Sequence, residues 1–280
     1  MTYEMGRSVA NVDLRDAVTV VTGGASGIGF ALAQEAAARG ARLMIVDVND
    51  AAEAVEALRE SGAEVESTQA DVSEVADVRR VLDETIQRFG NVDVVCSNAG
   101  AAAFGPLDSV EPEDAARVIR VNVEGTFNMI HVFADQLRKS AAAGRPAYLM
   151  LTGSEHSLGV PPHVEPISIY TATKYAVLGL ARTASRDLSS SGVGVSLLAP
   201  GWTLTDGVRA MIAADPKAQT TIAPYAQETA EVALMAFDGL LAGRRVIATN
   251  PYSRDFALEQ ARDLIADIEQ LPVVGRPTDL

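Results

Sequence analysis

Short apolar runs alternate with longer stretches of helical period along most of the chain. Seven runs read as strands, at 17–22, 42–47, 64–70, 92–97, 147–152, 193–198 and 245–249. Most are apolar at nearly every position. That pattern suits strands covered on both faces, because a half-exposed strand alternates apolar with polar residues. Helical segments are expected between them, near 27–39, 50–61, 74–89, 111–140, 168–190 and 227–241. Strand then helix, repeated in this way, predicts right-handed βαβ crossovers. The expected fold is α/β: a doubly wound, Rossmann-type parallel sheet of about seven strands with helices on both faces. No linker rich in Pro, Gly or Ser divides the chain, and no repeat of roughly 20–50 residues is visible. Residues 1–280 therefore read as one domain, with a core at 14–250.

Two segments fall outside the alternation. Residues 203–226 contain Pro216 and Pro224 and read as a mobile lid. Beyond Asn250, one helix is expected near 253–269, followed by a loose, proline-containing end.

Composition narrows the partners. The formal net charge is −14. Such a field works against binding to nucleic acid or anionic lipid, so neither is an expected partner. The single cysteine, Cys96, permits no intrachain disulfide. The polar start, MTYEMGRSVANVDLRD, lacks the apolar centre of a signal peptide, and no apolar run reaches the roughly 18 residues of a transmembrane helix. A cytoplasmic location is the default expectation. His131, His156 and His163 show no metal-ligand spacing, so no metal site is expected.

Candidate chemistry begins at the end of the first strand. It runs into Thr22-Gly23-Gly24-Ala25-Ser26-Gly27-Ile28-Gly29, and an Ala-rich helix follows. Glycines permit positive φ and let a pyrophosphate approach the backbone. The helix N-terminus adds unpaired N–H groups and partial positive charge. A glycine turn can also reflect close strand–helix packing alone. The second strand ends at Asp47, 18 residues beyond Gly29. A carboxylate there can accept hydrogen bonds from ribose hydroxyls and would repel a 2′-phosphate. Neither the turn nor Val48 supplies a cation for such a phosphate, so NAD is favoured over NADP. Taken alone, Asp47 also fits a solvated strand-end carboxylate.

Three further features follow in order. Asn122 lies inside the predicted helix 111–140, Ser154 follows the fifth strand, and Tyr170 and Lys174 open helix 168–190. Four residues apart on a helix, Tyr170 and Lys174 share a face. An ammonium beside a phenol favours the phenolate and lowers its pKa from about 10, towards useful acid/base chemistry. Singly, each has a plain reading: an exposed helix pair, a turn or N-cap serine, an asparagine satisfying nearby backbone. Their joint order behind a dinucleotide turn carries the argument.

With these motifs the sequence resembles the short-chain dehydrogenase/reductase family, in its compact single-domain branch, over roughly residues 14–250. Thr22-Gly23-x-x-x-Gly27-x-Gly29 is similar to the family's cofactor turn, with Ser26 and Ile28 inside it. Asn98-Ala99-Gly100 matches its Asn-Ala-Gly motif. Asp71, in Ala70-Asp71-Val72, matches the residue that meets the adenine. Asn122, Ser154, Tyr170 and Lys174 match the catalytic tetrad. Pro200-Gly201-Trp202-Thr203-Leu204-Thr205 matches the segment flanking the nicotinamide. The resemblance implies that Tyr170 is the acid/base and that Ser154 bonds the substrate oxygen. Lys174 then holds the nicotinamide ribose, and Asn122 anchors a proton-relaying water. It implies hydride transfer between a secondary alcohol and NAD.

Two departures stand out. Ser154 and Tyr170 are 16 apart, longer than is common in the family, and the insertion holds Pro161, Pro162 and Pro166. Ser157 is therefore a rival for the serine role, and Ser154 is preferred because it follows the strand directly. Thr203 stands where the family often has Val or Ile. Ala101–Phe104, 155–163, Trp202 and 206–226 are candidate substrate-pocket residues. Their apolar character suggests a hydrophobic or aromatic alcohol, or the matching ketone, and Asn250-Pro251-Tyr252 resembles the tail of relatives acting on aryl alcohols. His156 and His163 read as solvent-facing loop residues. Helices 111–140 and 168–190 resemble those through which the family dimerises, so a homo-oligomer, dimer or tetramer, is expected. The alternatives are a carbonyl reductase running on NADH or NADPH, and an NAD-sensing binding protein on the same fold.

Overall fold

The computed structural model describes residues 14–162 and 164–272. The segment read for a signal peptide, His163 and the proline-containing end lie largely or wholly outside those residues. Seven strands form one parallel sheet: β1 (Val18–Thr22), β2 (Arg42–Asp47), β3 (Val65–Gln69), β4 (Val94–Ser97), β5 (Tyr148–Thr152), β6 (Gly194–Ala199) and β7 (Val246–Ala248). Their order is β3-β2-β1-β4-β5-β6-β7. Among the described residues, ten α-helices accompany them: α1 (Gly27–Ala38), α2 (Ala52–Glu60), α3 (Val75–Phe89), α4 (Pro112–Ile119), α5 (Gly125–Ala142), α6 (Ser168–Leu188), α7 (Asp206–Ala214), α8 (Pro216–Thr221), α9 (Thr229–Leu241) and α10 (Arg254–Glu269).

The continuous apolar strands are explained by what each face meets. Met44 and Val46 point into one core with Val20, Leu149 and Leu151, covered by Val81, Phe133 and Val177 of α3, α5 and α6. Leu43 and Ile45 point into the other, with Val21, Val94 and Met150, covered by Leu32, Leu58 and Phe237 of α1, α2 and α9. Successive residues of one strand thus feed opposite cores. Each fully buried Leu, Ile or Val contributes roughly 1.5–3 kcal/mol. Edge strand β3, VESTQ, is the polar exception.

Strand order reverses between β1 and its neighbour β4. Connections leave those two strands in opposite directions, which opens a crevice at their carboxyl ends.

The predicted helix 111–140 is broken. Between α4 and α5 lies a π-helical turn, Arg120–Glu124, in which the Gly125 N–H reaches back five residues to the Arg120 carbonyl. Such a turn inserts one residue into the helical register and re-aims its side chains. Asn122 sits at its centre and is buried. Gly125 is needed just after it: an added Cβ would meet Val72 Cγ2 at 2.7 Å.

Residues 203–226, read as a mobile lid, fold into α7, α8 and a short turn at Ala223–Tyr225. Their ends are stitched together, since Leu204 N–H donates to the Gln227 carbonyl and Gln227 N–H to the Trp202 carbonyl, at 2.8 and 2.9 Å. Among the described residues, no helix is long and apolar enough to cross a membrane.

Candidate active site

The glycine turn sits at the switch point. Gly23 has φ +64°, and a Cβ there would lie 3.0 Å from Ala99 Cα. At Gly29 a Cβ would sit 1.9 Å from the Gly23 carbonyl oxygen, so only glycine lets the helix begin this close to the turn. Thr22 Oγ1 accepts from the N–H of Asn98 at 2.8 Å and of Ala99 at 3.0 Å, and Asn98 Nδ2 donates to the Thr22 carbonyl at 3.1 Å. Asn98-Ala99-Gly100 is thereby fixed beside the turn.

The N-terminus of α1 is open. Ser26 is its N-cap, yet its side chain makes no capping bond, and no acidic residue lies in the first turn. The first N–H groups and the helix dipole are left for an anion. Asp47 closes this end of the cleft. Its Oδ2 accepts from Ala25 N–H at 3.1 Å and its Oδ1 from Asn49 N–H at 3.0 Å. The second-strand carboxylate is thus tied directly to the glycine turn, with Val48 exposed next to it. Asp71 Oδ1 caps Ser73, accepting from its N–H at 2.8 Å and hydroxyl at 2.7 Å, and Val72 is buried against α5.

On the other side of the crevice, Ser154 leaves β5 at the N-cap of a short turn, Glu155–Ser157. Its Oγ accepts from His156 N–H at 3.2 Å. Ser157 is spent elsewhere: its Oγ accepts from Ser154 N–H at 3.1 Å and donates to the Lys174 carbonyl at 2.7 Å. Ser157 thus holds the turn, while Ser154 pairs with Tyr170.

Tyr170 and Lys174 lie one turn apart near the start of α6, with Nζ 5.3 Å from the phenol ring centroid. Lys174 is buried, and Nζ donates to the Thr152 carbonyl at 2.9 Å. Two of its three N–H groups remain for another acceptor. Part of the Tyr170 ring is open to solvent, while its hydroxyl sits deep.

Electrostatics here correct the expectation of a lowered tyrosine pKa. Burial pushes Tyr170 up to about 12, the Ser154 hydrogen bond pulls down, and the negative charge of Glu155 pushes up again. Burial holds Lys174 down to about 8. Both charged forms lose water solvation, and for Tyr170 that outweighs the Ser154 hydrogen bond.

Asn122 is fully engaged with protein. Oδ1 accepts from Ala101 N–H at 2.8 Å, and Nδ2 donates to the Ala101 carbonyl and to Thr173 Oγ1, both at 2.9 Å. The asparagine therefore pins the segment after Gly100 to the helix of Tyr170, and its amide has no N–H left to hold a water.

Residues 200–205 follow β6 at the same end of the sheet. The Pro200 carbonyl accepts from Glu155 N–H at 2.8 Å. A Cβ on Gly201 would meet Asn250 Nδ2 at 2.5 Å. Thr203 Oγ1 donates to the Gly201 carbonyl at 3.0 Å, and Thr205 caps α7 while its Cγ2 would touch a Cβ on Gly27 at 3.0 Å. Thr152 Oγ1 and Trp202 Nε1 are buried here without a protein partner. An open helix N-terminus, a buried ammonium with spare donors and two orphaned polar atoms line one cleft. That donor set fits a dinucleotide with phosphates at one end and polar ring substituents at the other.

His156, expected to face solvent, is buried, with Nδ1 2.8 Å from Thr171 Oγ1 and its ring edge-on to Tyr170 at 5.5 Å. Sequence reasoning missed two contributors. The Thr152 carbonyl and Thr173 act through backbone contacts or through Asn122 and leave no residue-type signal. Glu155, read in the sequence as a pocket residue, is instead buried in the turn after Ser154.

Comparison with known proteins agrees with this geometry. A family model described as short chain dehydrogenase matches residues 17–215. The 1-deoxy-11-beta-hydroxypentalenate dehydrogenase of Streptomyces avermitilis is 37% identical over 204 residues, 71% of this chain and 73% of that protein. A probable tetrahydroxynaphthalene reductase of Zymoseptoria tritici is 33% identical over 192 residues, 68% of this chain and 69% of that one. Among solved structures, a short chain dehydrogenase/reductase from Burkholderia phymatum in complex with NAD is similar at a TM-score of 0.80 and 31% identity, covering 96% of this chain and 99% of its own. By fold, by the order of its site residues and by these likenesses, the chain belongs to the short-chain dehydrogenase/reductase family of oxidoreductases.

Proposed function

We propose that the protein is an NAD-dependent oxidoreductase moving hydride between a hydrophobic or aromatic secondary alcohol and the cofactor, with Tyr170 as acid/base. The observation that carries this reading is the cluster of Tyr170, Ser154 and Lys174 at the carboxyl end of the sheet, facing the glycine turn. When bound, NAD supplies the hydride acceptor. Gly23, Ser26, Gly27, Ile28 and Gly29 form the phosphate cradle at α1. Asp47 takes the ribose hydroxyls, and Asp71 and Val72 border the adenine. Asn98, Ala99, Gly100, Pro200, Gly201, Thr203 and Thr205 line the nicotinamide end. Lys174 offers its spare N–H groups to ribose hydroxyls. Ser154 positions the substrate oxygen and stabilises charge developing on it. Tyr170 takes the alcohol proton in oxidation and returns it in reduction. Asn122 holds the scaffold between Ala101 and α6.

Asp47 favours NAD: a 2′-phosphate would meet a buried carboxylate, and neither the glycine turn nor Val48 carries a cation. The substrate class follows from the rim. Phe104, Leu107, Val160 and Tyr252, on loops at the carboxyl ends of the strands, are all more than half exposed. Exposed apolar groups concentrated there suit an apolar ligand.

A second reading, carbonyl reduction as the working direction, is favoured by one observation. A phenol held up at about 12 is a proton donor at neutral pH. We infer further that the protein works in the cytoplasm as a homo-oligomer, since Ile119, Phe127 and Tyr175 leave apolar surface exposed on the α4–α6 side.

The test is a panel of secondary alcohols and ketones with NAD(H) and NADP(H), followed by nicotinamide absorbance, on wild type and Tyr170→Phe. Turnover with NAD is expected, falling by about 100-fold or more in the variant while NAD binding is retained. Near-normal turnover of Tyr170→Phe would sink the assignment. NAD binding without turnover on any substrate would favour a sensing protein.

A further inference from the structure

The segment after Ser154 is gripped by the chain's own tail. Ser253 donates to Glu155 Oε2 at 2.5 Å. Phe256 is buried against Gly159, where an added Cβ would meet the ring at 2.9 Å. Gln260 makes a two-bond clamp on Val160, accepting from its N–H and donating to its carbonyl, each at 2.9 Å. Positions 253, 256 and 260 are three and four apart, so they share one face of α10 and its first turn. All three lie beyond residue 215, where the match to the family model ends.

The innermost contact reaches the chemistry. Glu155 is 3% exposed and stands between Ser154 and His156, whose ring lies edge-on to Tyr170 at 5.5 Å, so its charge bears on the Tyr170 hydroxyl from the adjoining turn. A carboxylate buried at that depth needs a donor, which Ser253 supplies. The other ionisable groups around the pair are Lys174 and His156, both against the Tyr170 ring. Glu231 and Arg254 line a cavity of about 760 Å³ beyond Leu158 and Ser253.

We propose that Glu155 is a positioning residue of the reaction: fixed by Ser253, its carboxylate sets a negative charge against Tyr170 and couples the C-terminal tail to proton transfer. The inference rests on the reading of Tyr170 as acid/base. A fixed negative charge near the phenol disfavours phenolate and retains the donor form. Burial raises the Glu155 carboxyl and the Ser253 bond lowers it, yet the phenol titrates far into the alkaline range, where a carboxylate is ionised. Glu155→Gln keeps the shape and the acceptor for Ser253 but removes the charge.

The experiment is the pH profile of kcat/KM for alcohol oxidation and ketone reduction, on wild type, Glu155→Gln and Ser253→Ala, with Tyr170→Phe as reference. For Glu155→Gln, the Tyr170-dependent limb is expected to move to lower pH by about 0.5–1 unit, with NAD affinity unchanged. A limb that stays in place overturns the proposal. Where Glu155→Gln fails to fold, Ser253→Ala reads the same coupling. Loss of the fixing donor is expected to raise alcohol KM about threefold or more without altering NAD affinity, and an unchanged KM overturns it. If Tyr170→Phe itself retains turnover, the reading of the acid/base fails first, which separates the two failures.

Discussion

At Tyr170 the competition is between solvation and charge. Loss of water disfavours phenolate most, the Ser154 hydrogen bond pulls the other way by less, and the Glu155 charge adds to the first, so the phenol stays protonated through neutral pH. With Tyr170 as the proposed acid/base, the direction of catalysis inherits that balance. Oxidation needs the small phenolate fraction, so log kcat/KM for the alcohol should rise with pH from neutral up to about 8. There Lys174 begins to lose its proton and the rise should flatten. Ketone reduction uses the abundant phenol and should be level over the same range, then fall above about 8. Steady-state profiles in both directions check this, and an oxidation profile that is flat between about pH 6 and 8 contradicts it. Asp47 works on a different principle. Tied to Ala25 and Asn49, it cannot swing away from an incoming 2′-phosphate.

Among the elements, the π-turn between α4 and α5 has the clearest consequence. One inserted residue aims Asn122 at Ala101 on one side and Thr173 on the other. A regular helix through 111–140 would carry the side chain round its axis and away from those partners. Asn122→Ala takes from the partly buried Ala101 N–H and carbonyl the side chain that pairs them. It should destabilise the fold by about 2–4 kcal/mol in denaturant unfolding and lower kcat more than it raises KM for NAD. A loss below about 0.5 kcal/mol would show that the strap is dispensable. The tail helix α10 belongs to this scale too. It touches the catalytic turn through Ser253, Phe256 and Gln260, so the insertion with its prolines is held from behind by a helix distant in sequence.

For the whole molecule, the sheet separates two cores and leaves its candidate chemistry at the carboxyl ends of the central strands, where strand order reverses. The helices covering one face expose Ile119, Phe127 and Tyr175 at 40%, 52% and 42%. Apolar residues so exposed on long helices suit burial against a second copy. Sedimentation at micromolar concentration should give a dimer or tetramer, and Phe127→Glu should shift it towards monomer. A wild-type monomer would overturn the oligomer.

The period of hydrophobic positions determined the seven strands and their parallel winding, because a strand covered on both faces must be apolar throughout. Glycine chemistry at 23–29 and the Tyr170–Lys174 spacing were legible for the same reason: local backbone geometry and one helical turn impose them. Contacts between distant segments were not. The break at Arg120–Glu124 depends on Val72 and Ala101, and the burial of His156 depends on Thr171. Glu155 finds its donor 98 residues away in Ser253. The protonation of Tyr170 is of that second kind. Its neighbour Lys174 was readable in the sequence, but the loss of water that holds the phenol protonated exists only once the chain has closed around the site.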